Sequence, residues 1–310
     1  MLRQDVAPSQ VVEIAKPALL ERSVLAVLGD YVALTKPRII SLLLVTTVPA
    51  MIMAEGGMPS VWLVLLTLVG GTLSAAGANA INCYLDRDID GLMQRTRNRP
   101  LPAGAVAPEQ ALLFGVALGL AGFQVLAVGV NLLSALLATG ALAFYVFVYT
   151  LWLKRSSTQN IVIGGAAGAM PPVIGWAAVT GSLDYAPLVL FGIIFLWTPP
   201  HFWALALRYR ADYARASVPM LPVVRGEDET KRQILLYSVV LVALTLALVP
   251  IAGTGMFYLA SALALGGVFV LLAARLYRAL SVRTSRALFL YSLAYLGLLF
   301  VAMGIDQFVG

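Results

Sequence analysis

Nine long apolar runs, separated by short polar stretches, take up most of the chain. They fall at about residues 37–54, 61–81, 110–130, 132–153, 161–180, 186–207, 234–251, 256–274 and 287–304. Each reaches the roughly 18 residues that cross a bilayer core as a helix. The pattern predicts an all-α integral membrane protein with nine transmembrane helices. The first run, one of three with 18 residues, is interrupted by Thr46, Thr47 and Pro49.

The polar stretches between the runs are of two kinds. All 21 Lys and Arg residues fall on the N-terminal arm and on the second, fourth, sixth and eighth connections. The other connections and the C-terminal tail carry none, only Glu55, Asp184 and Asp306. This alternation requires an odd number of spans and places the N-terminus in the cytoplasm. A pI near 9.5 would suit a nucleic-acid partner. Here the cations are divided among the connections between spans, which favours a membrane protein over that reading. With 60% hydrophobic and 12% charged residues there is no room for a soluble domain. Residues 1–36 read as a cytoplasmic arm whose residues 18–34 lie along the membrane surface. Residues 37–310 read as one transmembrane domain, with spans 1–4 at about 37–153, spans 5–8 at about 160–274 and span 9 at about 287–304. The arm lacks the order of a cleaved signal, and Asp5, Glu13, Glu21 and Asp30 argue against a mitochondrial transit peptide. The single cysteine, Cys83, excludes an intramolecular disulfide and reads as a packing residue.

Two basic connections are long, at about residues 83–109 and 208–233. Each follows the second helix of a four-helix set, begins with mixed charge and ends in a proline-rich turn. The repetition suggests two similar halves plus a ninth helix. Within the spans, Gly70, Ser74 and Ala78, and Gly164 and Gly168, have the spacing of close helix packing. Pro171-Pro172 and Pro199-Pro200 predict kinks in spans 5 and 6.

The chemistry gathers where the second span emerges. Asn82, Asp86 and Asp90 are four residues apart, so on a continuing helix they share one face at steps of about 6 Å. Three oxygen-bearing side chains are a platform for Mg²⁺ already carrying a phosphate-type ligand. Arg95, Arg97 and Arg99 stand beside them to grip the remaining charge. Carboxylates at a helix C-terminus oppose its dipole unless a cation compensates. Asp88 points about 200° away from Asp86 and reads as an ion-pair partner for a loop arginine. Asp212 offers a carboxylate from the second half, with an ion pair to Arg208 or Arg215 as the plainer role. Lys154 and Arg155 end span 4 and Lys36 and Arg38 open span 1, where snorkelling is the default. His201 is the chain's one histidine, set after a proline pair among Trp197, Phe202 and Trp203. It reads either as a packed interfacial residue or as a haem contact, because imidazole ligates haem iron and flat aromatic surroundings suit a porphyrin.

Six segments extend this pattern: Asn82-Cys-Tyr-Leu-Asp86-Arg-Asp-Ile-Asp90, Arg95-Thr-Arg-Asn-Arg99-Pro-Leu, Tyr149-Thr-Leu-Trp-Leu-Lys154-Arg, Asn160-Ile-Val-Ile-Gly-Gly-Ala-Ala-Gly-Ala-Met-Pro-Pro, Trp197-Thr-Pro-Pro-His201-Phe-Trp and Asp212-Tyr-Ala-Arg-Ala-Ser-Val-Pro-Met-Leu-Pro222. In this order they resemble the UbiA superfamily of intramembrane prenyltransferases, and its haem-farnesylating branch in particular, over roughly residues 30–305. The resemblance implies two four-helix bundles plus one extra helix around a central cavity. It also implies Mg²⁺ as cofactor and transfer of the farnesyl group of farnesyl diphosphate to a vinyl group of haem B (protohaem IX). Water is added in the same reaction, giving haem O and diphosphate, so haem B is a substrate and not a cofactor. Taken with the residue reading, it assigns Asp86, Asp90, Asp212 and Lys154 to catalysis and Asn82, Asp86, Asp90 and Asp212 to the metal. Arg95, Arg99, Arg87, Lys36, Arg38, Arg208, Tyr149 and His201 are then the substrate-binding set. The superfamily commonly has a second aspartate pair. This chain has Arg208 four residues before Asp212 and Ala216 four after, which leaves a second Mg²⁺ fewer ligands.

The implied setting is a bacterial plasma membrane with the site on its cytoplasmic side. Membrane lipid surrounds the protein, and haem A synthase or terminal-oxidase assembly lies downstream. An aromatic prenyltransferase of quinone biosynthesis would share the aspartates but has no need of the His201 setting. A transporter would bury ionisable groups at mid-span, whereas here they gather at span ends.

Overall fold

The structure, a computed structural model, describes residues 23–309. Among these residues every regular element is helical, and nine helices are long and apolar enough to cross a membrane. In order they are α1 (Val24–Thr35), α2 (Pro37–Glu55), α3 (Val61–Leu85), the short α4 (Arg87–Leu92), α5 (Pro108–Gly129) and α6 (Leu132–Ala143). The last continues as a π-helix (Phe144–Leu153) and a final turn, α7 (Lys154–Ser156). There follow α8 (Asn160–Gly168), α9 (Pro171–Thr180), α10 (Tyr185–Arg208), α11 (Arg210–Arg215), α12 (Leu221–Val224), α13 (Gly226–Ala252), α14 (Met256–Arg278) and α15 (Val282–Val309). The spans are α2, α3, α5, α6 to α7, α8 with α9, α10, α13, α14 and α15.

Each span packs against the next, and the ninth returns to the first, where α15 lies along α2. The result is a closed ring, braced across its middle where α2 meets α9 and α10 meets α15. The α3–α5 seam relies on glycine. A Cβ at Gly70 would sit 2.6 Å from Leu126 Cγ, one at Gly77 2.6 Å from the Gly115 carbonyl, and one at Gly122 2.7 Å from Ser74 N. The small-residue spacing is thus confirmed at Gly70 and Ser74. Ser74 and Ala78 both reach the cavity as well, and the next close glycine approach along α3 is made by Gly77. Gly164 packs on Tyr149, whereas Gly168 has nothing within 4 Å of its Cβ position and opens on the interior.

The proline pairs behave differently from each other. Span 5 breaks at Ala169 and Met170, just before Pro171-Pro172. The helix α10 keeps its helical backbone through Pro199 and Pro200. Two spans outrun their apolar stretches. The seventh starts at Gly226, because Glu227, Asp228 and Glu229 in its first turn complement the helix dipole. The ninth runs from Val282 to Val309. At the end of the chain Asp306 accepts from the backbone N–H of Gly255 (2.5 Å) and Tyr258 (2.9 Å), capping the start of α14 from a neighbouring helix.

Of the surface segment expected at 18–34, residues 18–22 lie outside the described residues. The rest is α1, with Val24, Leu25, Leu28 and Val32 exposed and Leu34 buried. It ends at Lys36, a non-glycine residue in the left-handed region (φ 55°), directly before Pro37 opens α2. That turn aims the lysine into the ring.

Candidate active site

A cavity of about 570 Å³ occupies the centre of the ring. One end is polar, where Lys36, Asn82, Asp90, Arg95, Arg99 and Lys154 reach its wall. The depth is apolar, lined by residues such as Leu43, Ala75, Ala138 and Ile174. A third wall is aromatic, formed by Trp197, His201, Phe202 and Phe289.

The polar end is built on a bend. Helix α3 stops at Leu85 and α4 begins at Arg87, but Asp86 N–H still bonds to Asn82 O (2.9 Å) and Asp90 N–H to Asp86 O (2.8 Å). The four-residue face therefore survives the junction, and Asn82 Nδ2 donates to Asp86 Oδ2 at 2.7 Å. Every acid here is matched by a base from another segment. Lys154 pairs with Asp86 Oδ2, and Arg99 with Asp90 Oδ2 at 2.7 Å. Lys36 Nζ donates to Asn82 Oδ1 at 2.7 Å. Burial holds the Lys36 ammonium below the usual lysine range. Burial works against the Arg99 charge too, but Asp90 outweighs it and raises that group. The π-helix supplies one further contact: Thr150 Oγ1, bonded back to Tyr145 O five residues earlier, accepts from Asn82 Nδ2 at 3.0 Å.

Asp88 follows its expected outward course. Arg155 grips it through two bonds of 2.7 Å, and this contact holds its carboxyl down at about 2. The same arginine donates to Leu85 O and lies 3.8 Å from Asp86, so it is a clamp and not the free snorkelling cation expected.

The remaining candidates divide. Arg38 and Tyr149 line the cavity. Arg95 does so as well, with its guanidinium on Tyr213 OH (2.8 Å) and over the Tyr209 and Tyr213 rings. Burial raises the Tyr213 hydroxyl. Arg87 is exposed, stacked over Tyr84, and Arg208 lies over Tyr209, so neither is on the cavity wall. Asp212 is buried and pairs with Arg215, its alternative partner, and not with Arg208. Neither Asp86 nor Asp212 lines the cavity itself.

Among the described residues no three acids, histidines or cysteines stand close enough to share one ion. The donor set still suits a hard cation. Asp86 is fully buried, and its Oδ1 has no hydrogen-bond partner, which is costly for a carboxylate oxygen. Beside it are Asn82 and Asp90, both buried oxygen donors.

On the aromatic wall, His201 is stacked between Trp197 (4.3 Å between centroids) and Phe289 (4.7 Å). Its Nδ1 lies 2.6 Å from Ser292 Oγ. Both faces of the imidazole are therefore covered by these two rings. Thr150, Ser292, Phe289 and Tyr213 went unselected in the sequence. Thr150 is concealed because a π-helix has no apolar period of its own, and Ser292 had only the weak signal of a polar residue inside a span.

Residues 43–301 match the UbiA prenyltransferase family. The chain is 59% identical over 283 residues to a protoheme IX farnesyltransferase of Gloeobacter violaceus, covering 91% of this chain and 93% of that protein. It is 57% identical over 289 residues to protoheme IX farnesyltransferase 1 of Saccharopolyspora erythraea, covering 92% and 91%. Among solved structures, a digeranylgeranylglyceryl phosphate synthase superposes with a TM-score of 0.75 at 17% identity, over 92% of this chain and 99% of that one. A UbiA homolog from Archaeoglobus fulgidus bound to GPP and Mg²⁺ does so with 0.69 at 19% identity, over 91% and 100%.

Proposed function

The chain belongs to the UbiA prenyltransferase family, and from that premise we propose that it transfers the farnesyl group of farnesyl diphosphate to a vinyl group of haem B, yielding haem O. The observation that carries this reading is a single cavity joining a charge-balanced polar end to an aromatic wall with the chain's one histidine.

Asn82, Asp86 and Asp90 are the residues to hold Mg²⁺, with Asp212 offered from the facing connection. When bound, that ion supplies positive charge for a diphosphate leaving group. Lys154, Arg99 and Lys36 exchange their present carboxylate and amide partners for diphosphate oxygens, so little reorganisation is needed as charge develops. Arg95, held by Tyr213, and Arg38 extend that grip. The apolar depth holds the isoprenoid chain and keeps water from C1. The C1–O bond breaks with its electron pair leaving on diphosphate. The vinyl π pair forms the new bond to C1, and the cation left beside the porphyrin takes hydroxide from water, whose proton departs. No nucleophilic side chain is required, and the cavity wall offers none paired with a base.

By the positive-inside rule the polar end faces the cytoplasm, and in a bacterium the membrane would be the plasma membrane. The product would pass to haem A synthase or to oxidase assembly.

The test is to incubate the purified protein with farnesyl diphosphate, Mg²⁺ and haem B and measure product mass. A haem heavier by one farnesyl group and one hydroxyl supports the proposal. Unmodified haem together with prenylation of an aromatic acid would establish the quinone-pathway reading in its place.

A further inference from the structure

The setting of His201 limits how it can meet a ligand. Its ring lies nearly parallel to Trp197 (16°) and to Phe289 (24°), one contributed from α10 and the other from α15. With both faces taken, only an edge is left for the cavity. One edge nitrogen, Nδ1, is committed to Ser292 Oγ at 2.6 Å.

Ser292 is itself fully tied. It is buried at 0% exposure, its hydroxyl donates to Phe289 O at 2.7 Å, and its carbonyl accepts from Trp197 Nε1 at 2.8 Å. A hydroxyl carries one hydrogen. Placing that hydrogen on Phe289 O makes Nδ1 the donor in the short contact to His201. The imidazole is then neutral with its proton on Nδ1, and Nε2 carries an unprotonated lone pair. One serine thereby orients the tryptophan, the histidine and, through the turn it closes, the phenylalanine.

We infer that Ser292 is a positioning residue that fixes His201 as an end-on ligand, through Nε2, for the iron of the haem substrate. The inference rests on the haem reading above. Metal-binding histidines usually donate their second ring N–H to a fixed acceptor, which sets ring orientation and basicity. Ser292 supplies that acceptor here. An end-on bond would hold the porphyrin against the aromatic wall, leaving its vinyl edge free to face the polar end. Phe202, edge-on to the ring at 6.4 Å between centroids, is apolar.

Because the chain has one histidine, ¹⁵N-histidine labelling reports this ring alone. Wild-type protein should show a protonated Nδ1 and an unprotonated Nε2, and Ser292→Ala should lose that preference. A protonated Nε2 in the wild type would overturn the assignment. Titration with ferric haem B then tests the iron bond. Weakening of at least about tenfold and a changed Soret band are expected for His201→Ala, with about tenfold weakening for Ser292→Ala and recovery in Ser292→Thr. Binding of geranyl diphosphate with Mg²⁺ should stay unchanged in all three, showing that they are folded. An unaltered Soret band and haem affinity in His201→Ala would sink the ligand role while leaving farnesyl transfer intact. Absence of haem binding by the wild type would instead remove the haem reading itself.

Discussion

The two halves of the ring solve the same structural problem with different residues. In each, a long second helix ends at the cavity's polar end and gives way to a short one: α3 to α4 in the first half, α10 to α11 in the second. The junction residue is Asp86 in one and Tyr209 in the other. The first half fills its junction with acids and draws in bases from three other segments. The second places a single buried acid there, Asp212, which its own neighbour Arg215 neutralises, and devotes the span above to aromatic groups. Two halves with similar junctions can thus be charged on one side and flat on the other, which suits one diphosphate and one planar acceptor.

Four substitutions probe that division. The largest effect is expected from Asp86→Asn and Asp90→Asn, each lowering farnesyl transfer by at least about 10²-fold, the scale of one preorganised electrostatic contact. Ferric haem affinity should not change, and an equal loss of haem binding would break the separation into two ends. A smaller loss, on the order of tenfold, is expected for Asp212→Asn, in keeping with a charged hydrogen bond away from the cavity wall. A defect in steady-state transfer as deep as that of Asp86→Asn would make the halves equivalent after all. The smallest is Asp88→Asn. Its half-exposed pairing with Arg155 should be worth less than about 1 kcal/mol, so transfer should fall less than about fivefold. A large loss there would mean that Arg155 is positioned for catalysis through Asp88.

The contrast among these carboxylates was readable in part from spacing alone. A period of four placed Asn82 and Asp86 together, and the same helical arithmetic sent Asp88 outward. The span count followed from the alternation of charge. What spacing could not supply was the pairing across the ring. That Lys154 meets Asp86, that Arg155 clamps Asp88, and that Lys36 reaches Asn82 from a left-handed turn depend on where spans 1, 2 and 4 converge. The π-helix was equally hidden, since its ten residues are as apolar as any α-helical span. On the aromatic wall the partner of His201 lies 91 residues away on the last helix, beyond the reach of any local pattern. Arg87 and Arg208 show the opposite failure. Their charge beside the motifs suggested substrate contact, yet each lies over a tyrosine ring and off the cavity wall.

The order of the ring bears on how such a protein assembles. Every seam but one joins helices adjacent in sequence, so most of the wall can form as the chain enters the membrane, with little loop-closure cost. The exception around the ring is the seam between α15 and α2, which awaits the final helix, as does the cross-brace of α15 on α10. Until then the charged end can already be paired, because Lys36, Asn82, Asp86, Arg99 and Lys154 all belong to the first four spans. The aromatic wall lacks Phe289 and Ser292 until synthesis is nearly complete. The nascent protein therefore passes through a stage with a finished charged end and an open side, and its last helix both closes the ring and orients the histidine.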